Sequence, residues 1–169
     1  KKIKISSFGN KLCGKHRPGH FKAIADVIDR FIKIIKPHKI FFGEKDMQQL
    51  KIIEHYVMKN FKKIKVIGCE TVRDKNGVAL SSRNFLLTKN EKEIASRIYK
   101  LIKNKKNLLI KKKLTLNKIK NKIIDLGANK IDYVKIIDIN KLIKPFSKKI
   151  NYKIFIAYYL GSTRLIDNI

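Results

Sequence analysis

The stretch Ile40-Phe41-Phe42, closed by Gly43, limits the fold more than any other part of the sequence. It is too short for a helix and reads as a buried strand. Segments of helical periodicity flank it. From Phe21 to Lys36, apolar residues recur at Ile24, Val27, Ile28, Phe31, Ile32 and Ile35, and Pro37 then stops the helix. Asp46 to Lys59 repeats the pattern with Met47, Leu50, Ile53 and Val57 on one face, and Ile64 to Cys69 reads as a second strand. Strand, helix, strand in this order is a parallel crossover unit, the building block of a doubly wound, Rossmann-like sheet.

Beyond Cys69 the pattern changes. Asn76-Gly77 marks a turn. Thr88 with Glu91 three places on is a capping box, and the helix it opens runs to about Lys103 with Ile94, Ile98, Leu101 and Ile102 inward. A lysine-rich link follows. Leu116, Ile119, Ile123 and Leu126 mark another helix, closed by Gly127. Ile131 to Ile139, Lys153 to Leu160 and Thr163 to Ile166 read as strands. The expected fold class is therefore α/β, a partial parallel-sheet domain over 1–72 followed by a smaller α+β domain over 73–169.

Charge is the most unusual feature of the composition. The net charge is +28, yet of 41 basic residues only six are arginines. Proteins that read bases lean on bidentate arginine, and single-strand binders on aromatics. Neither clusters here, which argues against a nucleic-acid partner. Lysine mixed evenly with isoleucine and asparagine is what AT-rich codons encode, so a solvated basic surface accounts for the pattern. Such a surface still attracts anionic ligands. Hydrophobic residues make up 44 % of the chain, enough for a core. No apolar run reaches the roughly 20 residues of a membrane span, and no signal peptide is recognisable. Two distant cysteines, Cys13 and Cys69, read as free thiols of a reducing cytoplasm. The chain opens KKIKISSFGN without an initiator Met, as a fragment or a trimmed start would.

Two clusters bear chemistry. Gly43-Glu44-Lys45-Asp46 stands where a parallel strand gives way to a helix, the place where doubly wound sheets bind ligands. Glycine lets a ligand approach the backbone, Lys45 is a point charge suited to phosphate, and Asp46 can accept hydrogen bonds from ribose or help hold a metal. Gln49 lies on the same side of the first helical turn, with an amide that both donates and accepts. An ordinary helix start, with acids complementing the dipole, would read the same way. The second cluster, Ser81-Ser82-Arg83-Asn84, offers two hydroxyls and a guanidinium to a polyphosphate; a serine cap beside a surface arginine is the plainer reading. Cys13-x2-His16-x3-His20 lacks the second cysteine and the fourth ligand of a zinc site, so no metal site is expected. His20 is better used lining a ligand pocket.

Taken together, RPGHF (17–21), FFGEKDMQQL (41–50), TVRDKNGVALSSRN (71–84) and LGSTRLIDN (160–168) resemble the pantoate–β-alanine ligase family in order and spacing. The resemblance implies a nucleotidyltransferase-type fold and a two-step reaction. Pantoate attacks the α-phosphorus of ATP to give pantoyl adenylate and pyrophosphate. The amine of β-alanine then displaces AMP to give pantothenate. It implies ATP with Mg²⁺, a homodimer and a cytoplasmic enzyme. Carried over by position, ATP contacts fall on Gly43, Glu44, Lys45, Asp46, Val72, Leu80, Ser81, Ser82 and Arg83. Of these, Lys45, Ser81, Ser82 and Arg83 are expected to act on the reacting phosphates. Val72 would meet adenine through its backbone, Gln49 would bind pantoate, and His20 would line the site. Leu80 replaces the family's usual methionine.

One departure stands out. The family's N-terminal His-x-Gly-His motif and its second pantoate-binding glutamine are missing; in RPGH, Arg17 occupies the place of the first histidine. The chain as given is therefore expected to be a fragment or half of a split enzyme, inactive alone. The alternatives are a basic nucleic-acid-binding module and a non-catalytic remnant of the enzyme.

Overall fold

The structure, a computed structural model, describes residues 3–142 and 149–169. It divides into two compact units, the first running to Glu70 and the second beginning at Thr71.

The first unit is built on the strand pair that the sequence implies. After a short helical turn, α1 (Cys13–His16), helix α2 covers His20–Ile35. It ends because Lys36 takes a left-handed conformation (φ 52°) while its N–H still bonds to the Ile32 carbonyl, and Pro37 cannot continue the ladder. Strand β1 (Lys39–Gly43), a single 3₁₀ turn (Glu44–Asp46), α3 (Met47–Asn60) and β2 (Lys65–Cys69) follow. β1 and β2 are parallel, in register from Lys39 opposite Lys65 to Gly43 opposite Cys69. Alternation along the strands sends Ile40, Phe42 and Val66 to the side where Ala25, Ile32, Ile53, Tyr56 and Val57 form the core. The opposite face carries Phe41, 62 % exposed. Among the described residues β1 pairs only with β2. A buried contact fastens α2 to α3: the Tyr56 hydroxyl donates to Asp29 Oδ1 at 2.7 Å, and Asp29 also pairs with Lys33 one turn on.

The second unit packs α4 (Lys89–Ile110) and α5 (Leu116–Asp125) on a three-stranded antiparallel sheet of β3 (Lys130–Asp138), β4 (Tyr152–Leu160) and β5 (Thr163–Asn168), in the order β3-β4-β5. The capping box is present. Thr88 N–H donates to Glu91 Oε2 at 2.7 Å, and Glu91 N–H to Thr88 Oγ1 at 3.2 Å. α4 extends through the stretch expected to be a lysine-rich link. Leu109 continues the inward stripe of Ile98 and Ile102 and is fully buried, while Lys103 is exposed and Lys105 and Lys106 are half-buried. β5 likewise runs two residues past Ile166. The core joins Ile98, Ile102, Ile119 and Ile123 of the helices to Val134, Ile154, Ile156 and Leu160 of the sheet.

Candidate active site

In the first unit the candidate residues gather at the carboxyl end of β1. Gly43 has an extended backbone (φ −66°), and a Cβ placed on it would meet nothing within 4 Å, so the main chain there is open to approach. Glu44 folds back over β2: a Cβ on Gly68 would sit 3.3 Å from Glu44 Oε1. Lys45 is drawn in by the tight turn; its side chain is 20 % exposed, with Nζ 3.9 Å from the Asp46 carboxylate. Asp46 stands just before α3 without a side-chain capping bond, and Gln49 follows in the first turn. His20 opens α2. Burial and the Arg17 charge lower its pKa from 6.5, and the nearby Asp46 carboxylate opposes that shift. His20 thus belongs to the electrostatic neighbourhood of the β1 turn.

Gln48, the neighbour of the expected pantoate ligand, has a task that sequence reasoning missed. It is buried, its Nε2 donates to the carbonyls of Phe8 (2.9 Å) and Lys11 (2.7 Å), and its Oε1 accepts from the Cys13 N–H (3.1 Å). It pins the segment that leads into His20 to the first turn of α3. The visible signal is the Gln48-Gln49 doublet at a helix start, where one amide can face inward and the next outward. Neither cysteine is in a disulfide among the described residues; Cys13 is buried and Cys69 exposed. Among the described residues no group of three His, Cys, Asp or Glu side chains could hold a metal ion. No helix among them is long and apolar enough to cross a membrane.

In the second unit the residues 72–80 form a hairpin that presents Ser81-Ser82-Arg83. Leu80 N–H bonds to the Val72 carbonyl at 3.0 Å, and Arg73 bridges Ala79. Asp74 closes the turn: Oδ1 accepts from the N–H groups of Asn76 (2.8 Å) and Val78 (3.0 Å). Gly77 has φ 89°, and an added Cβ would lie 2.2 Å from the Tyr99 ring. The Ser96 hydroxyl holds the tip through the Asn76 carbonyl at 2.9 Å. Val72 (68 % exposed) and Leu80 (52 %) are joined through the backbone and both open to solvent.

Ser81 Oγ accepts from the Arg83 N–H at 3.3 Å and caps the 3₁₀ turn Ser82–Leu86, so the plain capping reading of that serine also holds. The Arg83 guanidinium donates to the Arg164 carbonyl at 3.2 Å. A cleft of about 600 Å³, lined by Asp74, Leu80, Ser81, Ser82, Asn84 and Lys92 among others, borders this loop. The Asn84 amide donates to the Ala79 carbonyl at 3.1 Å, and its buried Oδ1 accepts no bond from the described residues. Sequence reasoning also left Arg73 and Asp167 unused, although they form an ion pair at 2.7 Å across 94 positions. Their presence in two separate motifs, with opposite charges, was the available signal. Burial would lower the Arg73 pKa, but the hydrogen bond and charge of Asp167 outweigh it and raise it.

These motifs are matched across the whole chain by known proteins. The family model described as pantoate-beta-alanine ligase matches residues 1–169. A pantothenate synthetase of Sulfurihydrogenibium sp. is 38 % identical over 99 % of the chain, and one of Clostridium botulinum (strain Loch Maree) is 38 % identical over 98 %. The chain spans 61 % and 60 % of their lengths. Among solved structures, a Francisella tularensis pantoate-beta-alanine ligase complexed with beta-gamma ATP and beta-alanine is 37 % identical with a TM-score of 0.77, over 97 % of this chain and 55 % of that one. The Thermus thermophilus pantothenate synthetase is 25 % identical with a TM-score of 0.81, over 100 % of this chain and 62 % of that one. Both units, the parallel pair and the antiparallel sheet, thus follow the nucleotidyltransferase-like architecture of pantothenate synthetases. By sequence and by fold, the chain belongs to the pantoate–β-alanine ligase family.

Proposed function

We propose that this chain carries the C-terminal, ATP-handling share of an enzyme that joins pantoate to β-alanine. The observation that carries the reading is the turn Gly43–Asp46: an open backbone and a half-sheltered lysine at the carboxyl end of a parallel strand, in a chain of this family. The relative from Francisella tularensis was solved with beta-gamma ATP and beta-alanine, which supports the same ligands here.

In this reading the region 1–72 is the nucleotide-binding domain and 73–169 the smaller domain that closes over ATP. Lys45 and the Arg83 guanidinium offset charge on the phosphates as pantoate's carboxylate oxygen bonds to the α-phosphorus and pyrophosphate leaves. The Ser81 and Ser82 hydroxyls donate to the same oxygens. Gly43, Glu44 and Asp46 seat the nucleotide, Val72 meets adenine through its backbone, and Leu80 lies beside it. Gln49 orients pantoate, and His20 lines the site. In the second step the β-alanine nitrogen bonds to the acyl carbon and AMP leaves. Mg²⁺ arrives with the triphosphate, Asp46 being the carboxylate best placed on exposure to meet it. Excluding water protects the acyl adenylate. A homodimer working in the cytoplasm fits the family and two cysteines outside any disulfide.

The reaction also calls for the family's His-x-Gly-His segment. Supplying it, joined to this chain or added in trans, should give ATP-dependent pantothenate formation. No product from a folded assembly would contradict the proposal. Tight binding of mixed oligonucleotides that falls steeply with salt would favour the nucleic-acid alternative instead.

A further inference from the structure

The segment Thr163–Asn168 lies within a motif for which the proposed reaction has no task. We infer that β5 is a splint for the Leu80–Arg83 loop, and that Arg73 and Asp167 are its positioning residues. The inference rests on the proposed nucleotide role of that loop.

Arg73 stands at the base of the hairpin. Its Nη1 and Nη2 donate to Asp167 Oδ2 and Oδ1 at 2.7 and 2.9 Å, a two-point grip in one plane. The same guanidinium donates to the carbonyls of Gly77 (3.1 Å) and Asn168 (3.3 Å) and lies 4.5 Å from the Tyr99 ring centroid. It is therefore held by the turn it supports, by β5 and by α4 at once. Lysine, a point charge without a fork, could not reproduce this set.

Further along β5, the Arg164 carbonyl accepts from Arg83 Nη1 at 3.2 Å, and the Arg164 side chain is itself held by the buried Asp132 at 2.7 Å. β5 thus grips the polypeptide before the turn at Arg73 and after it at Arg83. Between these two points lie the two serine hydroxyls, on backbone that belongs to no strand of the sheet. Groups aimed at reacting phosphates tolerate little displacement; about 1 Å can cost on the order of a hundredfold in rate. All of these contacts lie within the second unit, so the loop is set by its own unit's sheet.

The test uses the 169-residue chain with Arg73→Lys, which keeps the charge, and Asp167→Asn, which keeps the shape. Amide hydrogen exchange and Mg–ATP affinity are measured for both. Exchange at residues 80–84 should rise about tenfold while β4 amides keep their protection, and Mg–ATP affinity should fall about tenfold. Unchanged exchange at 80–84 would overturn the inference. So would equal acceleration across β4, which would make Arg73 a staple of the whole unit. Unchanged affinity in a variant whose loop exchanges faster would separate β5 from nucleotide handling and overturn it too. If the unsubstituted chain binds no Mg–ATP, the proposed function fails, while the exchange data still decide whether β5 sets the loop. Should both variants fail to fold, Asp167→Glu, which keeps the charge but shifts the carboxylate out of the two-point grip, gives the same readout.

Discussion

Burial and Arg17 hold the His20 imidazole below its ordinary pKa of 6.5, against the pull of Asp46. The neutral ring is the form that can accept as well as donate a hydrogen bond near the β1 turn. The sign of the linkage follows. Between the lowered folded value and 6.5 the unfolded chain binds more protons, so stability declines as pH falls through that window. A ring-proton NMR titration between about pH 5 and 8 should place the His20 midpoint below 6.5, and Arg17→Gln should move it up. His20→Gln should flatten the pH dependence of melting in the same window. A second residue-scale prediction concerns Tyr56, whose hydroxyl meets the buried Asp29. Tyr56→Phe leaves a buried carboxylate short of a donor, and denaturant unfolding should show a loss of about 1–3 kcal/mol. The Tyr56–Asp29 bond spans 27 positions and lies outside the quoted motifs, whereas Arg17 and His20 share one motif whose burial was not visible in it.

At the scale of elements, the hairpin 72–80 is the most constrained feature. Gly77 combines φ 89° with a Tyr99 ring against its α-carbon. Gly77→Ala should therefore cost about 1–3 kcal/mol from backbone strain, with ring displacement added, read as a lowered melting temperature. Thr88→Ala removes one half of the α4 capping box and should cost about 1 kcal/mol. Most elements were legible because their signals are local: periodicity along α2 and α3, Pro37 after α2, and Thr88 with Glu91 before α4. The end of α4 was not, because lysines at 103, 105 and 106 look like a link until Leu109 is seen to fill the core. The candidate site was legible only as residue types at an element boundary. What the chain concealed was its mounting: Gln48 reaching back some 35–40 positions, and Arg73 reaching 94 to Asp167. Side-chain bonds at such separations leave no periodic trace.

At the scale of the molecule, family membership, the open β1 turn and the basic surface point the same way. A net charge of +28 should draw a triphosphate to the chain, and any nucleic-acid contact it supports should fall steeply with salt. The chain spans about three-fifths of its relatives' length, and among the described residues β1 has one strand neighbour and an exposed Phe41. Catalysis by the chain alone and the proposed nucleotide binding are therefore tested separately. The central claim is that Lys45 and the Ser81–Arg83 loop serve one and the same nucleotide. Calorimetric titration of Mg–ATP into the chain, into Lys45→Ala, into Ser82→Ala and into the double variant tests it most directly. The account predicts saturable binding, on the order of tenfold weaker in each single variant, with the double variant's loss differing from the sum of the two. Mg–ATP affinity unmoved by either substitution, or losses that simply add, would contradict it.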